Sequence, residues 1–435
     1  MRTLHGRPII DPMELAPKPV EYSPERGGID FAVTERRKDR LDLINLAPFA
    51  ELPVLTNGQG GILMTMHRMS QGGADRVAVL LANGFHARGI PVDFLLLRSG
   101  GEGEEALSHL LDPGVRLHTA GPPMGSRHLE LARGIAAIRA VASAARPSLV
   151  LASSSNMGLV TGLACRPLRR KGIGVAMKLT NPVIRPRDKF AAQKFYRKTL
   201  YRFIFNQHDR ILTLTRAETS DLAAMFPDAA DRLTTVPNAY LSDGLLATEL
   251  PRGEQNCERK GNGPRLLTLA RMMPQKRLDV MLHAFAKLRR PDARLTILGD
   301  GPQRLRLEEL ARTLGIAERV EMPGFVEDVI PALSNADIFL LSSDYEGLPA
   351  AVIEALACNV PVVTTDCFPG AREMLDGSPF CAVTPIGDAA ELARAIEKIL
   401  GLGAPSGLRE IAADYGIDAS IAAHVRTLAP LMGPR

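Results

Sequence analysis

The sequence contains no tryptophan, and only 6 tyrosines and 14 phenylalanines in 435 residues. That is poor material for stacking bases, so no nucleic-acid partner is expected. Cysteine is scarce and odd in number: Cys165, Cys257, Cys358, Cys367 and Cys381, with no C-x-x-C. This excludes a disulfide scaffold and a zinc ribbon and fits a reducing compartment. No run of 18 apolar residues occurs; the best stretch, 148–164, is broken by Ser153, Ser154, Ser155 and Asn156. A spanning helix is therefore not expected. The N-terminus has no basic start followed by an apolar stretch, so no secretory signal is read and a cytoplasmic location is expected. Also missing are G-x-x-x-x-G-K-[ST], G-x-S-x-G, H-E-x-x-H and D-x-D. These absences exclude a P-loop, a hydrolase elbow and a zincin, and they disfavour a metal-dependent single-domain transferase. The expectation is no metal and no resident cofactor.

What is present is globular. Apolar residues make up 46% of the chain, and its length suggests two or three domains. Net charge is mild, 53 − 48 = +5, but it is unevenly spread. From Cys165 to Arg202, twelve Lys or Arg face one acid, Asp188, giving 12 − 1 = +11 and leaving −6 elsewhere. Phe190, Phe195, Tyr196 and Tyr201 lie among those cations. Such a mixture suits an anionic bilayer surface on the inner face of a membrane, the wall of an acceptor cleft, or a solvated face.

Residues 1–58 carry scattered prolines and charges without periodicity and read as a partly disordered extension. Beyond them strands and helices alternate. Strands are read at 62–66, 92–97, 148–152, 174–180 and 210–215, with helices at 74–88, 107–111, 129–145 and 190–205. The pattern then restarts after a linker at 246–263. Strands follow at 265–270, 294–299, 320–322, 338–342, 362–364 and 380–383, with helices at 278–288, 308–314, 329–334 and 349–357. The expected fold class is α/β, with two doubly wound Rossmann-like domains, 59–245 and 264–435, facing across a cleft. The last helix is expected to pack back on the first domain. Ligands of such sheets sit beyond the carboxyl ends of the strands.

Four stretches carry chemistry at those ends. In Ser342-Ser343-Asp344-Tyr345-Glu346-Gly347-Leu348-Pro349 a strand ends and a helix begins at the proline, which leaves the Gly347 and Leu348 amides at a helix N-terminus suited to an anion. Glu354 stands in the second turn. Two carboxylates and free amides suit a ligand with hydroxyls and a phosphate. In Arg271-Met272-Met273-Pro274-Gln275-Lys276 two cations can neutralise a diphosphate. Gly299-Asp300-Gly301-Pro302 is a tight turn, and Gly72-Gly73 opens a helix where backbone can approach a ligand closely. Gly101-x-Gly103-x-x-Ala106 mimics a dinucleotide fingerprint, but it is acidic and follows the second strand rather than the first.

Taken together, these stretches resemble family 4 glycosyltransferases, which have the two-domain GT-B fold. The resemblance covers about residues 61–432. It rests on Glu346 and Glu354 as an E-x7-E pair, on Arg271 and Lys276, and on the 299–302 turn. Pro323-Gly324-Phe325-Val326, Val236-Pro237-Asn238 and Gly72-Gly73 add to it. The resemblance implies a nucleoside-diphosphate-sugar donor, with Arg271 and Lys276 on the diphosphate, Glu346 on the donor sugar and Glu354 on the ribose. The Gly347 and Leu348 amides would lie near sugar and phosphate, and Gly72, Gly73, Gly299, Gly301, Phe325 and Val326 complete the donor-binding set. Catalysis would fall to Arg271, Lys276 and Glu346. Many members carry a histidine after the fourth strand, where this chain reads Ala152-Ser153-Ser154-Ser155-Asn156. Ser155, Asn156 and Asn181 are the candidates for touching the sugar or acceptor in its place.

The function implied is retaining transfer of a sugar to a saccharide or lipid-linked acceptor, in cell-envelope polysaccharide or lipopolysaccharide synthesis. A nucleotide-sugar 2-epimerase or phosphorylase of the same fold, and a non-catalytic two-lobed binding protein, stay open on sequence alone.

Overall fold

Two all-parallel sheets organise the chain, seen here in a computed structural model. The structure describes residues 60–433 apart from 71, 101–106, 185–189, 243–244, 246–262 and 327. The expected N-terminal extension, nearly all of the linker and the glycine cluster at 101–106 lie outside the described residues. Those that are described belong to one unit, residues 47–435.

The first sheet has seven strands: β1 (Ile62–Met66), β2 (Val92–Leu96), β3 (Arg116–Thr119), β4 (Leu149–Ala152), β5 (Gly174–Lys178), β6 (Arg210–Thr213) and β7 (Leu233–Thr235). Their order is β3-β2-β1-β4-β5-β6-β7, with Met64 of β1 opposite Phe94 on one side and Leu151 on the other. Helices α1 (Gly73–Ala87), α2 (Arg127–Ala145), α3 (Gly158–Arg169), α4 (Ala191–Phe205) and α5 (Arg216–Met225) connect them. The central strands β1, β2, β4 and β5 are buried along their whole length, which is why they read as largely apolar runs, broken only by Thr65, Asp93 and Lys178, instead of alternating patterns.

The second sheet holds β8 (Arg265–Leu269), β9 (Arg294–Leu298), β10 (Val320–Gly324), β11 (Ile338–Leu341), β12 (Val362–Thr365) and β13 (Cys381–Thr384), in the order β10-β9-β8-β11-β12-β13. Its helices are α6 (Leu278–Ala286), α7 (Arg304–Thr313), α8 (Ile330–Ser334), α9 (Ala350–Ala357), α10 (Ala371–Leu375), α11 (Ala389–Leu400), α12 (Leu408–Ala412) and α13 (Ile417–Leu428). In both sheets the strand order reverses beside the first strand, between β1 and β4 and between β8 and β11. Crevices for ligands open at such switch points.

The chain passes between the lobes twice, and the two crossings are pinned together. Tyr240 and Leu241 donate their amides to the Tyr415 carbonyl at 3.1 and 3.2 Å, and Ile417 donates back to Leu241 at 2.8 Å. After the second crossing, α13 lies on the first lobe. Ile421, Val425 and Leu428 join the core formed by β1, β2 and α1. Gly84 of α1 makes room for this, since a Cβ there would stand 2.0 Å from Ile421 Cδ1. At the same junction Lys178 Nζ lies 2.9 Å from His424 Nε2, and His424 Nδ1 lies 2.8 Å from the Ser420 carbonyl. The imidazole therefore donates through Nδ1 and accepts from the lysine through Nε2.

Several elements differ from expectation: β7, α5, α10, α11 and α12 are not among the expected ones, and three further cases have a plain physical reason. Residues 107–111 form only a single tight turn, Ser108–Leu110, with Leu110 left 44% exposed, because the segment has no face to bury. Helix α3 is not legible, because Gly158, Gly162 and Pro167 interrupt its apolar rhythm. Yet Gly162 is there for packing: a Cβ would stand 2.7 Å from Gln207. Strand β3 was missed because Arg-Leu-His-Thr is a largely exposed edge with too few apolar residues to declare itself.

Burial of two imidazoles sets a pH dependence. His208 is fully buried after α4, and desolvation pushes it down to about 4; His424 moves in the same direction for the same reason. With a folded pKa below the ordinary 6.5, the unfolded chain takes the proton first as pH falls. Stability is present above about pH 6.5 and is lost toward pH 4. For His208 alone the loss is about 3 kcal/mol, at about 1.4 kcal/mol per tenfold change in proton affinity. Urea midpoints at pH 7.5, 6 and 4.5 should fall accordingly, and His208→Gln should remove a large part of the slope. An unchanged slope in that variant would contradict a buried neutral His208.

Candidate functional site

The loop after β11 is built by its neighbours. Ser342 Oγ donates to the carbonyls of Lys276 and Arg277 at 2.9 and 3.0 Å. Thr365 Oγ1 donates to the Ser343 carbonyl at 2.7 Å, and Gln275 Nε2 to that of Tyr345 at 2.6 Å. The Glu346 amide donates to the Cys367 carbonyl at 2.6 Å. Loops following β8, β11 and β12 are thereby fixed to one another. Within this frame Lys276 Nζ stands 2.6 Å from Glu346 Oε1, which also accepts from Ser343 Oγ at 2.5 Å. The pair is partly buried, with 23% and 12% of the two side chains exposed, so it is neither a screened surface pair nor fully desolvated.

The neighbouring Arg277 has a different task. It adopts a left-handed backbone (φ 47°), and its guanidinium is held by Asp279 and Asp344 at 3.1 and 3.0 Å. Those carboxylates, Asp279 first, raise its affinity for the proton. Arg271 by contrast is exposed at the end of β8. The turn after β9 backs the same loop. Gly299 (φ 129°) and Gly301 (φ 157°) have backbones unfavourable for side chains, and a Cβ at 299 would stand 2.2 Å from the Ala270 carbonyl. Met272 donates to the Asp300 carbonyl at 2.9 Å, and Gly299 to that of Gly324 at 2.7 Å. Phe325, just beyond β10, is 61% exposed, while Val326 packs on the second lobe's core.

The first lobe comes closest to this loop at Gly347. A Cβ on Gly347 would stand 2.3 Å from the Thr180 carbonyl oxygen. Thr180 is held in turn by Ser155, whose Oγ accepts from the Thr180 amide at 2.8 Å. Asn181 Nδ2 lies 3.4 Å from Thr180 Oγ1, and Asn156 is exposed. Ser155 and Asn181 thus gather round Thr180, beside the 346–348 loop. Gly72 and Gly73 open α1: both are exposed, and the Gly72 carbonyl accepts from Asp75 and Arg76 at 3.0 Å each. Burial pushes the Glu354 carboxyl up, and the opposing influence is Arg76 of α1. Arg76 thereby joins the surroundings of Glu354 from the opposite lobe. It stood next to the glycines in sequence, but nothing there paired it with an acid nearly 280 residues away. Ser343, Gln275 and Thr180 were equally silent, since each acts through a contact that only folding creates. Among the described residues, no group of three or more His, Cys, Asp or Glu could hold a metal ion.

The basic stretch does not form one face. Arg166 donates to Gln207, Arg169 pairs with Asp209 at 2.5 Å, Lys178 is buried, and Arg197 donates to the Val183 carbonyl at 2.7 Å. Arg185, Arg187 and Lys189 lie outside the described residues. What remains on α4 is exposed Lys194 and Lys198 beside Phe195 and Tyr196, which are 72% and 66% exposed. Phe190, just before the helix, is 69% exposed. No helix among the described residues is long and apolar enough to cross a membrane.

Comparison with known proteins agrees with this architecture. Residues 254–417 match the family described as glycosyl transferases group 1, and residues 72–239 match the glycosyl transferase 4-like domain. The lipopolysaccharide core biosynthesis glycosyltransferase LpsE of Rhizobium meliloti is 36% identical over 155 residues, 36% of this chain and 44% of that protein. A GDP-mannose-dependent alpha-(1-6)-phosphatidylinositol monomannoside mannosyltransferase of Mycolicibacterium smegmatis is 34% identical over 194 residues, 41% of this chain and 50% of that protein. The matched stretches thus span half or less of these relatives' lengths. Among solved structures, Anabaena HepE in complex with UDP and glucose superposes with a TM-score of 0.68 at 18% identity, over 85% of this chain and 100% of that one. The lipopolysaccharide outer core galactosyltransferase WaaB gives 0.66 at 15% identity, over 85% and 99%. These structural likenesses establish the GT-B fold.

The close approach at Gly347 can be tested directly. Gly347→Ala places a methyl group against backbone, and overpacking of this kind costs about 1–3 kcal/mol. Urea denaturation should show a loss of that size. Parent-like stability would mean that the Thr180–Gly347 contact is not made in solution.

Proposed function

The chain belongs to the glycosyltransferases, and from that premise we propose that it transfers a sugar from a nucleoside-diphosphate sugar to a saccharide or lipid-linked acceptor with retention of configuration. The observation that carries this reading is the Lys276–Glu346 pair, 2.6 Å apart, in a loop frame that also presents Gly347 and Leu348. Lys276 and Arg271 supply positive charge for a leaving diphosphate, and preorganised charge of this kind needs no rearrangement as the reaction proceeds. Glu346, fixed by Lys276 and Ser343, is oriented for sugar hydroxyls, and Glu354 for the ribose. Gly299 and Gly301 keep the floor of the site free of side chains, with Phe325 and Val326 bordering it. Gly72 and Gly73 let backbone approach the donor from the first lobe, and Asn156 or Asn181 meets the sugar or acceptor.

In the reaction so assigned, the acceptor oxygen bonds to the anomeric carbon on the face from which the diphosphate leaves. The bond from that carbon to the phosphate oxygen breaks, and the acceptor's proton passes to the departing phosphate. No side chain becomes glycosylated, and the protein contributes position and field. Arg271, Lys276 and the loop amides provide that field without a divalent ion. Support for a nucleoside-diphosphate-sugar donor comes from the GDP-mannose-dependent relative of Mycolicibacterium smegmatis, and for an envelope acceptor from LpsE of Rhizobium meliloti. A cytoplasmic setting against the inner face of an anionic membrane belongs to the same reading. Lys194 and Lys198 would contribute about 1 kcal/mol each near such a surface, with Phe195 and Tyr196 adding apolar burial.

Lys276→Ala and Arg271→Ala should each lower kcat roughly 10²–10³-fold while the protein remains folded. A rate within twofold of the parent would remove that residue from the site. Glu354→Gln should weaken binding of the free nucleoside diphosphate, and an unchanged Kd would cancel the ribose assignment. Turnover should survive metal stripping and excess EDTA; complete loss restored by magnesium or manganese would overturn the metal-free mechanism.

Co-sedimentation with phosphatidylglycerol vesicles at low salt should be lost in a Lys194→Glu, Lys198→Glu, Phe195→Ser variant and in the parent at high salt, where charge is screened. Failure of the parent to sediment would remove the membrane from the proposal.

A further inference from the structure

Tyr240 has no part in the motifs above, and its placement assigns it one. It sits at the first crossing between the lobes, its amide bonded to the Tyr415 carbonyl at 3.1 Å. Its ring lies against that of Tyr415, with centroids 6.4 Å apart. The backbone and the ring are thus anchored where both crossings run together. From that anchor the phenol reaches the other lobe's loop: Tyr240 Oη donates to the Leu348 carbonyl at 2.7 Å. Asn238 Nδ2 in turn donates to Tyr240 Oη at 2.5 Å. Asn238 is 4% exposed, so the relay from Asn238 through Tyr240 to Leu348 is largely shielded from water.

The geometry is directional. With Asn238 donating to it, the phenol oxygen has its own hydrogen free for the Leu348 carbonyl. Burial pushes the phenol's pKa up, and Glu354 and Glu346 act in the same direction, so the hydroxyl keeps its proton. The Leu348 carbonyl precedes Pro349, which has no N–H, and the peptide between them turns the loop into α9. Fixing that carbonyl fixes the orientation of the Gly347–Leu348 segment, whose amides are assigned to the donor. We propose that Tyr240 is a positioning residue for donor binding, holding the 347–348 loop in its binding conformation from the crossing between the lobes. This rests on the donor site proposed above.

The test compares parent and Tyr240→Phe by calorimetric titration with UDP, GDP and ADP, and by steady-state hydrolysis of the corresponding glucose nucleotides. Tyr240→Phe keeps the ring and its packing, and should remain folded with only a small loss in melting temperature. Loss of one hydrogen bond should weaken the nucleotide that binds the parent by about fivefold. KM for its sugar nucleotide should rise by the same factor, with kcat within twofold.

A second variant, Asn238→Asp, offers the phenol a competing acceptor and should weaken binding alone but not in the Tyr240→Phe background. Equal weakening by Asn238→Asp in both backgrounds, or nucleotide affinity within twofold in Tyr240→Phe, overturns the role of Tyr240 and leaves the donor site standing. A parent that binds none of the three nucleotides overturns the donor reading itself, and the role of Tyr240 with it.

Discussion

One carbonyl oxygen governs how the two lobes meet. The Thr180 oxygen stands where a side chain at 347 would begin. This excludes every residue but glycine from that position as long as the lobes keep this arrangement. The constraint passes outward along the backbone. Position 347 lies between Glu346, which carries the ion pair, and Leu348, whose carbonyl is held from the crossing. Thr180 stands at the end of a buried strand and is steadied by Ser155 from the loop after β4. The two lobes therefore meet closely at a bare peptide, and the polar groups assigned to the ligand are arranged around it.

A second contact lies deeper and is more costly electrostatically. Lys178, at the end of β5, is 1% exposed, and burial pushes it down to about 7. Its partners come from two different helices: His424 of α13 and, at longer range, Glu218 of α5, itself pushed up to about 7 by burial. An apolar trio would fill such a space at lower cost. What the polar trio provides is selectivity of fit. If α13 slid by one residue, His424 would leave the buried amine without its hydrogen-bond partner, and an unpartnered buried group is heavily penalised. The return of α13 to the first lobe thus has a defined register as well as an apolar face.

The fold was legible where burial was two-sided and uninterrupted. Strands such as Ile62–Met66 and Ile338–Leu341 are short, nearly continuous apolar runs because both their faces are covered, and their length marks them as strands. Legibility failed where packing replaced hydrophobicity. In α3 the glycines that weaken a helical reading permit close packing: Gly162 lets the helix approach Gln207 and His208, and Gly158 lets it approach Met177 and Ile204. The candidate site divides in the same way. Lys276, Glu346 and Gly347 stood in short, ordered motifs, and folding brings the first two into contact. Tyr240, Thr180 and Arg76 matter through partners 108, 167 and 278 positions away, and no local pattern encodes such a distance. The charge excess at 165–202 overstates the exposed charge for a related reason. It was counted along the chain, whereas folding sends several of its members inward to Gln207, Asp209, His424 and the Val183 carbonyl.

The path of α13 has a consequence for how the chain acquires its structure. Ile421, Val425 and Leu428 form part of the wall of the core around β1 and α1, and Leu431 and Met432 extend it. A ribosome adding roughly 5–20 residues each second delivers the first lobe long before these residues exist. Until they emerge, the face of α1 around Gly84 stays bare, and its glycine notch has nothing to receive. The lobe that is made first is therefore the last to be finished. The second lobe can settle while its neighbour is still open, and one late docking event closes both crossings and completes the older core.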